Sequence, residues 1–416
     1  MNKERISSLL LKSGSIFLTC SIVLCPILML YSIKISTVTF FDLFSLLSVC
    51  ILVLSLLLQN KLLSILDKAF LPLVPFCVCV FASFLFSCIL FGFQIDVLFR
   101  TLRYLYYVLI VILFVKFFDK NVGIKIFKWA CIISTLFLFT QFVALQAFNK
   151  AISGYIKFLP MIDESLKAIA ENASLIRNPR PRSFFQEPAH YAAYISMFIF
   201  LDLLYLKRSK INLPIDIFLF AGVIISSSTT GIIMCLLSFV AFFLKVIFEK
   251  RKKDIIIFSS LSIVFVITGI ILISLGFLDS VVSKVTNVQS FLARFDGYRY
   301  VFDFSSFGSA FVTLFFGRGM LDLGTFYLSG YPRLLYYFGI VGLLCFSYSL
   351  ISVNKKALPF ATFFMIINLG TVSVLSPYMV LFFSLFISIA EPRKLKSFLR
   401  IKTLNVEYAE ISIYVK

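Results

Sequence analysis

Residues 213–248 read LPIDIFLFAGVIISSSTTGIIMCLLSFVAFFLKVIF. The stretch is long for one membrane crossing and short for two. A helix needs roughly 20 apolar residues to cross a hydrocarbon core about 30 Å thick. Charge decides the reading. Lys207, Arg208 and Lys210 lie before the stretch, Lys245 stands near its far end and the run Lys250–Lys253 follows it. Positive loops stay in the cytoplasm. Both ends therefore want the same side, and the chain must turn back between them. The polar run Ser226–Gly231 (SSSTTG) supplies the turn.

The same pattern extends outward over the whole chain. Of its 416 residues 60% are hydrophobic and 14% charged, where a soluble domain carries roughly 25% charged residues. Apolar blocks of span length predict an all-α polytopic integral membrane protein, a single membrane domain over 1–416. The spans are expected near 14–33, 38–58, 70–92, 103–118, 127–147, 189–206, 213–226, 231–248, 255–276, 331–351, 357–373 and 374–390. Twelve spans leave both termini in the cytoplasm. They also leave two long extracytoplasmic loops, at about 148–188 and 277–330. No small-residue cleavage site follows the first apolar run, so it reads as a span and not as a removed signal peptide. The nine cysteines all fall inside apolar blocks and read as small buried hydrophobes.

Net charge is +19, but no basic domain exists, so nucleic acid is not an expected partner. On this topology 25 of the 39 Lys and Arg are cytoplasmic and 14 are outside. Only five of the 25 are Arg, against nine of the 14: Arg100, Arg103, Arg177, Arg180, Arg182, Arg294, Arg299, Arg318 and Arg333. Topology needs positive charge and is indifferent to its chemistry. A guanidinium excess on one side suggests a second task, because the fixed fork of Arg matches phosphate or carboxylate in bidentate fashion.

The densest polar stretch, Arg177-Asn-Pro-Arg-Pro-Arg-Ser-Phe-Phe-Gln-Glu-Pro-Ala-His190, sits where the first long loop meets the sixth span. Its prolines stiffen the backbone and hold Arg177, Arg180 and Arg182 apart. Pro188 suits a first helical turn, which puts Glu187 and His190 near the membrane surface. The stretch reads either as an anion cradle with a carboxylate able to take a proton or as a capped helix with ordinary ion pairs. His190 is the one histidine, and no ligand spacing for a metal is present. The second loop carries Arg294 and Arg299, then Gly317-Arg318-Gly319, then Arg333 at the next span. Tyr298 and Tyr331 lie among them and suit sugar faces, or an interfacial aromatic belt. Arg103, with Arg100, flanks the fourth span on the same side.

Three motifs carry a resemblance: Arg182-Ser-Phe-Phe-Gln-Glu187-Pro188 at the mouth of a span, the SSSTTG turn, and Gly317-Arg-Gly319 followed by Tyr337-Phe-Gly339-Ile-Val-Gly342. With the architecture, they resemble the bacterial O-antigen and capsular polysaccharide polymerases (the Wzy type) of the O-antigen ligase and polymerase superfamily. The resemblance implies a GT-C-like membrane fold in the bacterial cytoplasmic (inner) membrane. It implies a glycosyltransferase that joins undecaprenyl-pyrophosphate-linked oligosaccharide repeat units outside, without metal, cofactor or nucleotide sugar. Glu187 or His190 would then deprotonate the acceptor hydroxyl. Arg103, Arg177, Arg180, Arg182, Arg294, Arg299, Arg318 and Arg333 would bind the pyrophosphate, and Tyr298 and Tyr331 the sugar. A chain-length regulator and a flippase are implied partners, beside membrane lipid. The related ligases, which join polysaccharide to lipid A core, usually bear a histidine in the second long loop. Residues 277–330 contain none, which favours the polymerase. A flippase would place ionisable groups at mid-membrane depth, whereas here they crowd the loops.

Overall fold

The computed structural model describes residues 3–33, 38–61, 72–156, 158–161, 180–206, 212–249, 307–322, 328–353, 358–370 and 375–390, with single residues at 259, 262 and 263. These residues form twelve helices: α1 (Lys3–Val23), α2 (Phe40–Leu58), α3 (Val74–Phe91), α4 (Ile95–Leu109), α5 (Lys120–Phe148), α6 (Pro188–Leu204), α7 (Asn212–Ile225), α8 (Thr229–Glu249), α9 (Phe307–Phe316), α10 (Gly330–Val353), α11 (Leu358–Gly370) and α12 (Tyr378–Ala390), besides short helical turns. No β-strand occurs among the described residues beyond two isolated bridges. Seven of the helices are long and apolar enough to cross a membrane, and α6, α7 and α11 are shorter apolar helices. The chain is thus an α-helical, multi-pass membrane protein.

The turn in the opening stretch is present. α7 ends at Ile225 and α8 starts at Thr229. Ser227 takes a left-handed conformation (φ 53°), and the Ser228 hydroxyl accepts from the Gly231 N–H at 3.3 Å. Other boundaries differ from the sequence reading. The first helix runs over Lys3–Val23 and not 14–33, and only a short turn, Cys25–Leu28, follows it. Pro26 explains the stop: it has no N–H for the Ile22 carbonyl, and its ring crowds that carbonyl. α4 continues past Leu109 through a π turn (Ile110–Phe114) and a 3-10 turn (Val115–Phe117). α5 begins at Lys120, earlier than 127, because the Asp119 carboxylate accepts from the N–H groups of Asn121 and Val122 and fixes the helix start. A ten-residue apolar helix, α9, occupies part of the second long loop. The span expected at 255–276 lies outside the described residues except at 259, 262 and 263.

α6 is the centre of the bundle. Thirteen consecutive residues, Tyr191–Leu203, are buried. A helix that is apolar all round belongs inside a larger assembly, and α7, α8, α5 and α11 surround this one. α12 is the second core helix, with Met379–Leu381 at 0% exposure and α1, α4 and α11 against it.

α10 is broken inside. Gly339 has φ 66° and ψ −170°. The break frees the Tyr336 and Tyr337 carbonyls. Arg318 donates its N–H to the first at 2.8 Å and Gly319 donates to the second at 3.0 Å. The Ser83 hydroxyl of α3 also donates to Tyr337 O. The contact is close on both sides. A Cβ at Gly317 would stand 2.2 Å from Tyr337 O, and one at Gly339 would stand 2.2 Å from Phe315 O. The two glycine motifs of the sequence are therefore two faces of one joint. Gly92 also has positive φ (78°), but nothing lies within 4 Å of a Cβ there. Gly339→Ala should accordingly lose about 2 kcal/mol or more beyond the backbone strain that Gly92→Ala also incurs. Thermal unfolding of the two variants in detergent reads the difference, and equal losses would dismiss the joint.

Candidate functional site

The Arg182–Glu187 turn is held by one side chain. Gln141, in α5, is 4% exposed. Its Oε1 accepts from the N–H of Arg182 (3.1 Å) and of Ser183 (2.7 Å). Its Nε2 donates to Ile152 O (3.1 Å) and Ser183 O (3.4 Å). One buried amide thus ties the start and the end of the first long loop to the same helix. Ser183 sits at φ 55°, and its hydroxyl donates to Ser134 O at 2.6 Å. The Arg182 guanidinium then lies 4.7 Å from the Tyr155 ring centre and donates to Gln186 O at 3.1 Å. Arg180, just before, is exposed.

Next to this turn is a cavity of about 310 Å³. Its lining comes from the chain after α1 (Met29, Leu30), the cap of α2 (Thr39), one face of the middle and end of α4 (Arg100, Arg103, Tyr104, Tyr107), Gln186, Met320, and the chain before α12 (Leu375–Pro377). The N-terminal ends of α2, α6 and α12 converge here beside the middle of α4, and helix N-termini carry partial positive charge.

The two cavity arginines are held differently. Arg103 donates to Asp42 through Nη2 and to the Tyr107 hydroxyl through Nε (2.9 Å). Tyr107 donates to the other Asp42 oxygen at 2.7 Å. Asp42 also caps α2, accepting from the Thr39 N–H and hydroxyl at 2.8 Å each. Arg103 is therefore fixed by a carboxylate that itself is fixed. Arg100 pairs with Asp322 at 2.8 Å, but these side chains are 43% and 72% exposed. Such a pair is worth only about 0–1 kcal/mol, so an anionic ligand can take Arg100 from it.

Arg318 stacks over the Tyr336 ring at 5.4 Å. Arg333, in the first turn of α10, has a buried Nε with no hydrogen-bond partner among the described residues. It lies near enough to Tyr337 to act on it electrostatically, as does Arg100. Tyr331 donates its hydroxyl to Met365 O at 2.8 Å, so this group works inside the fold. Arg177, Arg294, Arg299 and Tyr298 lie outside the described residues.

Glu187 caps α6 through its backbone: its carbonyl accepts from His190 (3.1 Å) and Tyr191 (3.2 Å). Its side chain is exposed and makes no capping bond. Among the described residues its carboxylate makes no hydrogen bond, so its oxygens are open to a ligand. His190 is half-buried, with its ring 5.9 Å from that of Tyr378. Among the described residues no three His, Cys, Asp or Glu side chains gather at one point.

The opposite helix ends carry lysine. Lys128 donates to Asn212 Oδ1 at 3.1 Å, and Lys245 donates to Leu204 O at 2.6 Å. Arg100, Arg103, Arg182, Arg318 and Arg333 all stand at the cavity end.

No family model matches the chain, and neither curated proteins nor solved structures gave a significant match. The site therefore rests on its own geometry.

The sequence reading passed over Asp42 and Gln141. Asp42 left a signal, a Thr39-x-x-Asp42 capping pattern. Gln141 left a weaker one, a lone amide in the apolar face of a long helix. Replacing Gln141 by Leu removes four hydrogen bonds and strands two buried N–H groups, each costing about 1–3 kcal/mol. Trypsin should then cut Arg182–Ser183 faster than in the parent protein at equal temperature. An unchanged cleavage rate would show that the turn does not depend on Gln141.

Proposed function

We propose that this chain polymerises polyprenyl-diphosphate-linked oligosaccharides at the extracytoplasmic face of a bacterial cytoplasmic membrane. What carries the reading is the convergence on one cavity of Arg100, Arg103 and Gln186, the neighbour of Glu187, with Arg182 and Arg318 on its margins. Under this reading the arginine end faces outside and the lysine end faces the cytoplasm, as the positive-inside rule prefers for short loops. Counting 255–276 gives twelve spans in a GT-C-like arrangement, with both termini cytoplasmic.

The chemistry follows from the charges. The donor is a growing chain on undecaprenyl diphosphate, and the acceptor is a newly flipped repeat unit. The acceptor hydroxyl attacks the anomeric carbon of the donor. Its proton passes to the Glu187 carboxylate, with His190 as the nearby alternative. The C1–O bond to the diphosphate breaks, and the departing oxygens gain charge. Guanidinium forks at Arg103, Arg182 and Arg333 stabilise that charge, assisted by Arg100 once Asp322 releases it. The apolar surface of the helices accommodates the polyprenyl tail.

Arg182→Ala and Glu187→Ala should each reduce long surface polysaccharide by a factor on the order of 10²–10³ while the protein remains inserted. A deletion strain should display lipid A core capped with one repeat unit on a gel of extracted lipopolysaccharide. Bare core would point to a ligase or a flippase instead. Normal chain lengths in both point variants would remove the site from the reaction.

A further inference from the structure

Two buried polar atoms beside the cavity have no hydrogen-bond partner among the described residues: His190 Nδ1 and the Tyr378 hydroxyl. They come from different helices, the first turn of α6 and the first residue of α12. Their rings stand 5.9 Å apart with 40° between planes. Tyr378 is 2% exposed. Ser376 and Pro377, which line the cavity, precede it directly, and Ser376 accepts the Tyr378 N–H at 3.3 Å. Glu187 lies close enough to act electrostatically on both rings.

Buried polar groups are normally paired. The neighbouring tyrosines obey that rule: Tyr194 donates to Val23 O at 2.9 Å, and Tyr191 pairs with Thr135 at 2.8 Å. Two unpaired groups side by side, just behind the lining that Gln186, Ser376 and Pro377 provide, form a place for a shared partner. That partner must offer and accept hydrogen bonds across a short gap. Phosphate is the wrong chemistry here, because the guanidinium groups of Arg100 and Arg103 stand elsewhere on the cavity lining. A neutral hydroxyl is the right one.

We propose that His190 and Tyr378 form the subsite for a hydroxyl of the acceptor sugar, and that Tyr378 is a specificity-determining residue. The hydroxyl sits between the two rings, hydrogen-bonded to His190 Nδ1 and to the Tyr378 oxygen, within reach of Glu187. This deepens the polymerase reading and rests on it. It divides the site in two: diphosphate on the arginine wall, acceptor hydroxyl on the His190–Tyr378 wall.

The test compares Tyr378→Phe with Tyr194→Phe in purified protein, using a defined lipid-linked repeat unit as acceptor and a labelled lipid-linked chain as donor. Tyr378→Phe should raise the acceptor KM about tenfold, the value of one hydrogen bond, and by more than it lowers kcat, with thermal stability kept. Tyr194→Phe loses a hydroxyl committed to the fold, so it should lower stability and leave the acceptor KM alone. An unchanged acceptor KM in Tyr378→Phe would overturn the subsite while polymerisation itself stands. If the parent protein makes no polymer, the polymerase reading fails. Binding of the free repeat-unit oligosaccharide then decides the subsite alone: weaker binding to Tyr378→Phe supports it, and equal binding rejects it.

Discussion

A backbone carbonyl inside a membrane protein has no water to turn to, so every break in a helix must be answered by another donor. The break at Gly339 is answered by the N–H groups of Arg318 and Gly319. This contact fixes more than a kink. It pins the Gly317–Gly319 segment against α3 and α10, carries Arg318 to the Tyr336 ring, and leaves Met320 to line the cavity and Asp322 to meet Arg100. The joint works only with glycine on both sides, since a Cβ on either would run into the opposing backbone.

A second constraint is the burial of α6. A helix enclosed over Tyr191–Leu203 cannot slide or tilt independently of its neighbours. Its N-terminus is therefore a fixed point. Gln141 holds the chain before it and Glu187 begins it, so the carboxylate stands at a set place relative to the Arg182 turn. Rigid elements support the charged groups, and the weakest link among them is the exposed pair of Arg100 and Asp322.

Much of this was legible in the sequence, for physical reasons. The turn at Ser226–Ser228 could be read because polar side chains interrupt an apolar run where charge demands reversal. The gathering of Arg100, Arg103, Arg182, Arg318 and Arg333 at one end follows from the alternation of spans and the split between Lys and Arg. What could not be read was contact across the bundle. Nothing in the sequence says that Asp42 faces Arg103 and Tyr107, that Gln141 grips a turn more than forty positions away, or that Tyr378 faces His190. Such pairings depend on which helix faces meet, and helices that are apolar all round give no periodic sign of their orientation. The first helix was misplaced for a different reason: Pro26 stops it in mid-block, where composition alone sees a continuous span.

The central claim is that the arginine wall binds a lipid diphosphate. The direct measurement is the affinity of the purified protein for polyprenyl diphosphate against polyprenyl monophosphate, repeated in Arg103→Ala and Arg333→Ala. The diphosphate should bind at least about tenfold more tightly than the monophosphate, each lost fork costing roughly 1.5–3 kcal/mol, and either substitution should erase that preference. Equal affinity for the two lipids, or a preference untouched by both substitutions, would contradict it.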